Sequence, residues 1–207
     1  QQVVTGNAIK AGCDLLLAAM RKKDGTYRTY DEMVAEKIPL RYSGKWTASM
    51  CSNCDANGQG KPFSNYMYGV FMAEITVNTK TGKTKVDKMT CMADIGKINN
   101  RLVVDGQMYG GIAQGIGLAL SEDFEDIEKH SNMMGAGIPY ANDIPDNIEI
   151  QYFETERPNG PFGASGVGEL PLTSPHVAVI NAINNATGVR IRHLPAYPEK
   201  VLAGLKA

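Results

Sequence analysis

The sequence has little excess charge, no long apolar run and no leader pattern, and each shortage narrows the functions open to it. Its 21 Lys and Arg residues nearly balance its 22 Asp and Glu residues, which gives a formal net charge of −1. This balance gives no electrostatic case for binding nucleic acid or an anionic membrane. No apolar run reaches the roughly 18 residues of a membrane helix, and the N-terminus lacks a signal-peptide pattern. We therefore expect a soluble cytoplasmic protein, with no membrane and no nucleic-acid partner.

Histidine and cysteine are also scarce. His130, His176 and His193 stand far apart in the sequence and give no support for a histidine metal site or a catalytic triad. Among the four cysteines, only Cys51 and Cys54 form a C-x-x-C pair, whereas zinc and iron–sulfur sites commonly use two such pairs. We expect free thiols and no metal held directly by side chains of this chain. The sequence also lacks a G-x-x-x-x-G-K-[ST] phosphate loop.

What the sequence does contain is an ordinary globular composition, with 43% apolar and 21% charged residues. A chain of this length can form one large domain or two small ones and bury roughly 70% of its unfolded surface. Hydrophobic periodicity and capping residues predict helices at 6–22, 29–36, 99–120 and 175–188, with Thr29 as a possible cap of the second. They also predict an extended segment at 37–49 and strands at 66–77, 83–95 and 148–152. The first two strands should pair antiparallel through a five-residue turn. The fold class predicted is α+β, with mixed helices and largely antiparallel strands.

The most informative segment is a glycine-rich loop, residues 160–168, that leads to the carboxylate of Glu169. Four of the nine residues before Glu169 are glycine, and glycine suits backbone that approaches a ligand closely and leaves its N–H groups uncovered. On glycine content alone an ordinary surface loop is an equal alternative. Ser174 and Pro175 follow as a possible cap and first residue of a helix. A loop held by an ordered element favours a binding or catalytic site.

The predicted helix at 99–120 is unusually rich in glycine. Each interior glycine costs about 1 kcal/mol relative to alanine, so their number indicates that something packs close to the helix. Packing against another helix is an equal alternative to a ligand. Asn99, Val103 and Gln107 have the spacing of one helical face. For Gln107 alone, the residues favour an amide satisfied within helix packing over one that contacts a ligand.

Several separate motifs, in order, resemble the C-terminal part of the molybdenum-binding region of molybdenum-dependent aldehyde oxidoreductases, in the xanthine oxidase family. They are the glycine loop with Glu169 and the segments 1–8, 106–117 and 191–202. The resemblance implies that residues 1–207 form the C-terminal part of a molybdopterin-binding domain, of the aldehyde oxidase and xanthine dehydrogenase type. The chain opens on Gln1 rather than methionine, and we expect it to be a fragment of a longer protein.

The resemblance also implies a reaction. A pyranopterin-bound molybdenum centre with oxo, sulfido and hydroxyl ligands would oxidise an aldehyde to a carboxylic acid, with oxygen taken from water. Glu169 matches the family's general base, which accepts the hydroxyl proton as the oxygen attacks the carbonyl carbon. A hydride would pass to the sulfido ligand. A purine or other heterocycle hydroxylase with the same chemistry, and a non-catalytic fragment that binds no cofactor, remain alternatives.

The residues that the resemblance assigns to the cofactor lie at both ends and in the middle of the chain. They are Gln1, Gln2, Asn99, Val103, Gln107, Ser165, Gly166, Val167, Gly168 and Glu169. The expected cofactor is molybdopterin with molybdenum, in its cytosine dinucleotide form, and [2Fe-2S] clusters are expected in domains outside this chain. Expected partners are the aldehyde substrate and the remaining molybdenum and iron–sulfur domains, with the complete enzyme a homodimer and the isolated fragment inactive.

Overall fold

A computed structural model describes residues 2–206, which divide into two units along the chain. The first unit contains the residues up to Tyr66 together with Thr155–Gly166, and the second contains Met67–Glu154 and the residues from Val167 onward. The boundary between Gly166 and Val167 falls inside the glycine loop.

The first unit contains two helices, α1 (Gln2–Met20) and α2 (Tyr30–Ala35). Thr29 caps α2 as predicted: its hydroxyl accepts a hydrogen bond from Glu32 N at 3.3 Å, and the Glu32 carboxylate accepts one from Thr29 N at 2.8 Å. This reciprocal pair satisfies two donors at the helix start. The helix predicted at 6–22 begins four residues earlier and ends two residues earlier. The segment 37–49 is irregular and forms no strand.

Helix α1 buries none of its residues in the described part of the chain. Four of its large apolar side chains are about half exposed or more, namely Val4, Ile9, Leu15 and Leu17. By length and composition alone the helix could cross a membrane, since its mean hydropathy reaches 1.3. This is a weak indication, because a helix that packs against other protein can have the same composition.

The second unit contains a three-stranded sheet in the order β1 (Tyr68–Val77), β2 (Thr84–Asp94) and β3 (Asn147–Phe153). The first two strands form the predicted antiparallel hairpin. Strand β3 pairs parallel with β2, which the sequence patterns did not predict. Parallel neighbours require a long crossover connection, and helix α3 (Arg101–Leu120) lies in the chain between them. The α+β class is confirmed, with a mixed sheet.

One sheet face and the helices of this unit enclose the core. Besides α3, these helices are α4 (Leu170–Thr173), α5 (Pro175–Thr187) and α6 (Pro198–Leu205). The fully buried side chains come from β2 and the four helices, and include Met89, Cys91, Met108, Ile112, Pro171, Ile183 and Val201. The opposite sheet face leaves large apolar side chains 37–64% exposed, namely Tyr68, Val70, Met72, Met92 and Phe153. We call these five residues the open apolar face.

Four of the glycines of α3 lie on two different surfaces of the helix. A Cβ atom on Gly111 would lie 2.5 Å from Pro171 Cγ, and one on Gly115 would lie 2.8 Å from Pro175 Cβ. These two glycines therefore allow α3 to pack closely on α4 and α5, which confirms the helix-packing alternative for them. At Gly106 and Gly110 a Cβ would have no neighbour within 4 Å. Nothing in the described chain explains glycine at those two positions.

The two surfaces predict opposite results for alanine at adjacent positions. Gly111→Ala should lower the free energy of unfolding by about 1–3 kcal/mol, because the new methyl group would overlap the Pro171 ring. Gly110→Ala, the matched control in the same helix, should be neutral or stabilising by up to about 1 kcal/mol because of alanine's helix propensity. Urea denaturation of both variants measures the difference. Equal destabilisation by the two substitutions would contradict the packing described for α3.

Candidate functional site

Glu169 occupies the residue immediately before α4, and its side chain is exposed. Its carbonyl oxygen accepts hydrogen bonds from Leu172 N at 3.1 Å and Thr173 N at 3.2 Å. The carboxylate itself does not cap the helix. Glu169 therefore has a backbone fixed by a helix start and a carboxylate available to another molecule. Sequence reasoning missed α4, because a four-residue helix is too short to show a hydrophobic period.

The helix predicted after the loop does begin where expected. Pro175 is the first residue of α5 and Gly188 ends it in the left-handed conformation with φ 77°. The predicted cap is only partly correct, since Ser174 holds the capping position but its side chain makes no capping hydrogen bond.

The residues of the glycine loop predicted to bind the cofactor belong to both units. Ser165 and Gly166 lie in the first unit, whereas Val167, Gly168 and Glu169 lie in the second. Val167 packs against the core of its unit. Gly168 is exposed, and a Cβ there would meet nothing within 4 Å. Val167 thus fixes the start of the short exposed segment that ends at Glu169.

In the first unit, the beginning of the loop is tied to α1. The Asn7 side chain donates to the carbonyl oxygen of Asn159 at 2.8 Å. Gly6 faces Pro161, where a Cβ on the glycine would come within 2.6 Å of the proline ring. Arg157 N also donates to Gly163 O at 3.0 Å and closes the turn. The beginning of the loop is therefore ordered, as predicted, rather than a free linker.

Gln107 lies on the exposed surface of α3 together with Val103. Its side chain has no hydrogen bond recorded within residues 2–206. The structure therefore does not support the interpretation of Gln107 as a buried amide satisfied by helix packing. Gly106 and Gly110 lie on the same side of the helix, at one residue before and three residues after Gln107. We call Val103, Gly106, Gln107 and Gly110 the open α3 face.

Asn99 does not share this face, and the prediction that it would was wrong. Helix α3 begins at Arg101, and Asn100 is its capping residue: the Asn100 side-chain oxygen accepts from Val103 N at 3.2 Å. A capping residue has extended backbone angles, so the residue before it lies outside the helix. Next to Asn99, Ile98 N donates to the Glu154 carboxylate at 3.0 Å, which fixes this approach to α3.

The remaining predicted cofactor residues are at the N-terminus. Gln2 is the first residue of α1 and is exposed, so it is ordered in the helix. Gln1 lies outside the described residues.

A side-chain network that the sequence patterns missed joins the start of α3 to β3. Arg101 Nε lies 2.9 and 3.1 Å from the two carboxylate oxygens of Asp105, and the Tyr152 hydroxyl donates to the same carboxylate at 2.7 Å. The Arg101 guanidinium also lies 4.3 Å from the centre of the Tyr152 ring. Burial, and then the hydrogen bond to Asp105, raise the pKa of Tyr152. The i, i+4 spacing of Arg101 and Asp105 was the available sequence signal.

The cysteines are free thiols in this structure. Cys51 is half-buried and Cys54 is exposed. Cys91 is fully buried in the sheet, and burial raises the pKa of its thiol to about 12. A thiol that is protonated at neutral pH is a poor nucleophile. Cys91 is therefore a core residue.

The exposed carboxylate at a helix start, the uncovered glycine beside it and the open α3 face all leave surface available to another molecule. A family model described as the molybdopterin cofactor-binding domain matches residues 1–145. The chain belongs to this family.

The relatives extend the similarity to the whole chain. The aldehyde oxidoreductase of Megalodesulfovibrio gigas is 64% identical over 208 residues, which cover 100% of this chain and 23% of that protein. The solved structure of the Desulfovibrio gigas aldehyde oxidoreductase matches with a TM-score of 0.97 at 63% identity, over 100% of this chain and 23% of that one. The xanthine dehydrogenase molybdenum-binding subunit of Escherichia coli O157:H7 is 30% identical over 148 residues, which cover 67% of this chain and 20% of the subunit. The chain thus spans about a quarter or less of these relatives.

The Tyr152 network leads to a prediction about α3. Tyr152→Phe should lower the free energy of unfolding by about 1–2 kcal/mol, because the Asp105 carboxylate loses a hydrogen-bond donor in a half-buried position. Tyr109→Phe is the control: Tyr109 is on α3, is 47% exposed and has no hydrogen bond within residues 2–206. Chemical denaturation compares the two. If both variants are equally stable, the hydroxyl contact with Asp105 does not anchor α3.

Proposed function

We propose that this chain is part of a molybdenum hydroxylase that oxidises aldehydes to carboxylic acids, with water as the source of oxygen. The observation that carries the proposal is the 64% identity, over the entire chain, to an aldehyde oxidoreductase. Hydroxylation of a purine or another heterocycle is the alternative reaction, and it has less support because the xanthine dehydrogenase subunit is only 30% identical. Aldehydes are therefore the first substrate class and heterocycles the second. In isolation the chain would be inactive.

The residues present fit the molybdopterin cofactor. Gly106, Gly110 and Gly168 leave space that a Cβ would fill, and no part of the described chain occupies that space. Gln107 adds an exposed amide, which can donate and accept hydrogen bonds. An extended, polar cofactor needs space to lie against the helix and groups with which to form hydrogen bonds, and these residues offer both. The residues that would hold it are Gln1, Gln2, Asn99, Val103, Gln107, Ser165, Gly166, Val167, Gly168 and Glu169, and the cytosine dinucleotide form is part of this proposal.

Glu169 is proposed as the general base. When bound, the molybdenum cofactor supplies the two-electron oxidation and the place where the oxygen derived from water is activated. A Glu169 carboxylate oxygen would take the proton from that oxygen as it attacks the substrate carbonyl carbon. The structure supports this role through the exposed carboxylate and the backbone fixed by α4. The short glycine segment before it leaves room for substrate and cofactor.

The remainder of a longer protein is the proposed partner. Helix α1 and the open apolar face both present large apolar side chains to solvent, and patches of this kind mark surfaces that contact other protein. We propose that the rest of the molybdenum region and the iron–sulfur domains cover them. A cytoplasmic location and a homodimer of the complete enzyme belong to the same proposal.

Glu169→Gln in the complete enzyme should reduce aldehyde turnover by about 10²- to 10⁴-fold, because the amide cannot accept the proton. Glu199→Gln is the matched control, since Glu199 is also an exposed carboxylate at the start of a helix, α6. The measurement is anaerobic dye reduction with acetaldehyde and benzaldehyde, with hypoxanthine as the competing class, at equal molybdenum content. Undiminished turnover in Glu169→Gln would refute the base assignment. Faster reduction by hypoxanthine in the unaltered enzyme would replace aldehydes by heterocycles.

Gln107→Ala should lower the molybdenum content of the purified complete enzyme, because the proposed amide contact with the cofactor is lost. Gln114→Ala is the control, since Gln114 is another exposed glutamine of α3, two turns further along the helix. Elemental analysis for molybdenum, together with denaturation to check stability, separates loss of cofactor from loss of fold. An equal molybdenum content in the two variants would argue against the role of Gln107.

A further inference from the structure

A pocket lies in the second unit beside the C-terminal end of α3, away from Gln107. It has a volume of about 510 Å³, which is within the range of small-molecule sites. Its walls come from the tip of the β1–β2 hairpin, the last turns of α3, the loop at 139–143, and the residues around the start of α6. Leu120, in its wall, is 13 residues from Gln107 in the same helix, which corresponds to about 20 Å. The pocket is therefore separate from the open α3 face.

The walls of this pocket are held in place by contacts within the unit. The hairpin turn is closed by Asn78, whose carbonyl oxygen accepts from Gly82 N at 2.7 Å. Gly82 packs directly against the carbonyl group of Pro198 at the start of α6. Ala196 N donates to Ala119 O at 2.7 Å and joins the segment before α6 to α3. A pocket whose walls are already fixed binds a ligand with little loss of conformational entropy.

The pocket has an apolar base. Val86, Ile116 and Ala196 line it and are at most 3% exposed. Leu120 and Pro198 add further apolar surface. These side chains would receive an aromatic or aliphatic group.

Two charged groups of the pocket have no ion pair within residues 2–206, namely the ammonium group of Lys83 and the exposed carboxylate of Asp143. Lys85 pairs with Asp87 at 3.3 Å, and Asp143 accepts a hydrogen bond from Tyr140 N at 2.9 Å. Lys83 also lines the pocket, and its ammonium group has no ion pair recorded within residues 2–206. The Thr84 hydroxyl, in the same wall, is buried without a hydrogen-bond partner in the described chain. A lysine without an ion pair and, in the same wall, a hydroxyl without a hydrogen bond can receive the carboxylate of a ligand, whereas the Asp143 carboxylate belongs to the wall formed by the loop at 139–143.

We propose that this pocket binds a small organic carboxylate with an apolar body, whose carboxylate pairs with Lys83 and whose body rests on Val86 and Ile116. The proposal does not depend on the function assigned to Glu169. If that function is correct, however, the carboxylic acid product belongs to the ligand class, and the pocket would bind product away from the site where it forms.

Titration calorimetry on the complete enzyme tests the proposal, with benzoate as the probe. Benzyl alcohol and benzylamine carry the same ring without the negative charge. We expect saturable benzoate binding that weakens about fivefold in Lys83→Met, through loss of the ion pair, and that is retained in Lys83→Arg. Lys80→Met is the matched control, since Lys80 is an exposed lysine of the same hairpin turn and does not line the pocket. Its affinity for benzoate should stay within about twofold of the unaltered enzyme, given the small effect of distant exposed charges.

Three results would overturn the proposal: no saturable binding of benzoate, equal weakening by Lys83→Met and Lys80→Met, or tighter binding of benzylamine than of benzoate. Benzoate bound near Glu169 as a product would not produce the expected pattern, because Lys83 lines the pocket and Glu169 does not. The binding result does not depend on the Glu169→Gln experiment, so either proposal can be refuted without affecting the other.

Discussion

The close contact of two glycines with two prolines determines where the candidate catalytic residue lies. Gly111 and Gly115 have no side chain, and Pro171 and Pro175 pack directly on the backbone of α3 at those positions. Glu169 is two residues before Pro171, in a turn whose amides bond to its own carbonyl group. A side chain on Gly111 would move α4 away from α3, and one on Gly115 would move α5 away from it. The position of the carboxylate relative to α3 therefore follows from the absence of two methyl groups.

The same helix is fixed at its other end by polar contacts. Arg101, Asp105 and Tyr152 connect its first turns to β3, while Met108 and Ile112 enter the core beside β2. These contacts occupy one side of α3 and leave the other side to Gln107. Glycine at 106 and 110 costs about 1 kcal/mol per position relative to alanine, and no neighbour in the described chain requires it. The cofactor proposed to lie on this face would need that space, and the proposal thereby gives a reason for the cost.

The sequence was sufficient for elements with strong local signals. The hairpin of β1 and β2, the Thr29 cap and the helix from Pro175 to Gly188 were predicted because alternation, capping residues and glycine act over a few residues. The parallel pairing of β3 could not be predicted, since it depends on contacts between residues nearly 60 positions apart. The sequence alone does not distinguish Asn99 from Asn100 as the residue that opens α3, and only the geometry shows that the Asn100 side chain accepts a hydrogen bond from Val103 N. The exposure of Gln107 and the network around Asp105 likewise required the fold.

The exposed face of the sheet is apolar at one end and charged at the other. Where β1 starts and β2 and β3 end, it presents the open apolar face. Toward the other end, Lys88 bridges Glu74 at 3.8 Å and Glu149 at 3.1 Å across the three strands. Ion pairs near the surface are well solvated, so covering them with protein gains little free energy. Covering contiguous apolar side chains gains about 25 cal/mol for each Å² removed from water. A protein surface that covers this sheet would therefore bind most favourably at the end that contains Tyr68 and would leave the Lys88 ion pairs in contact with solvent.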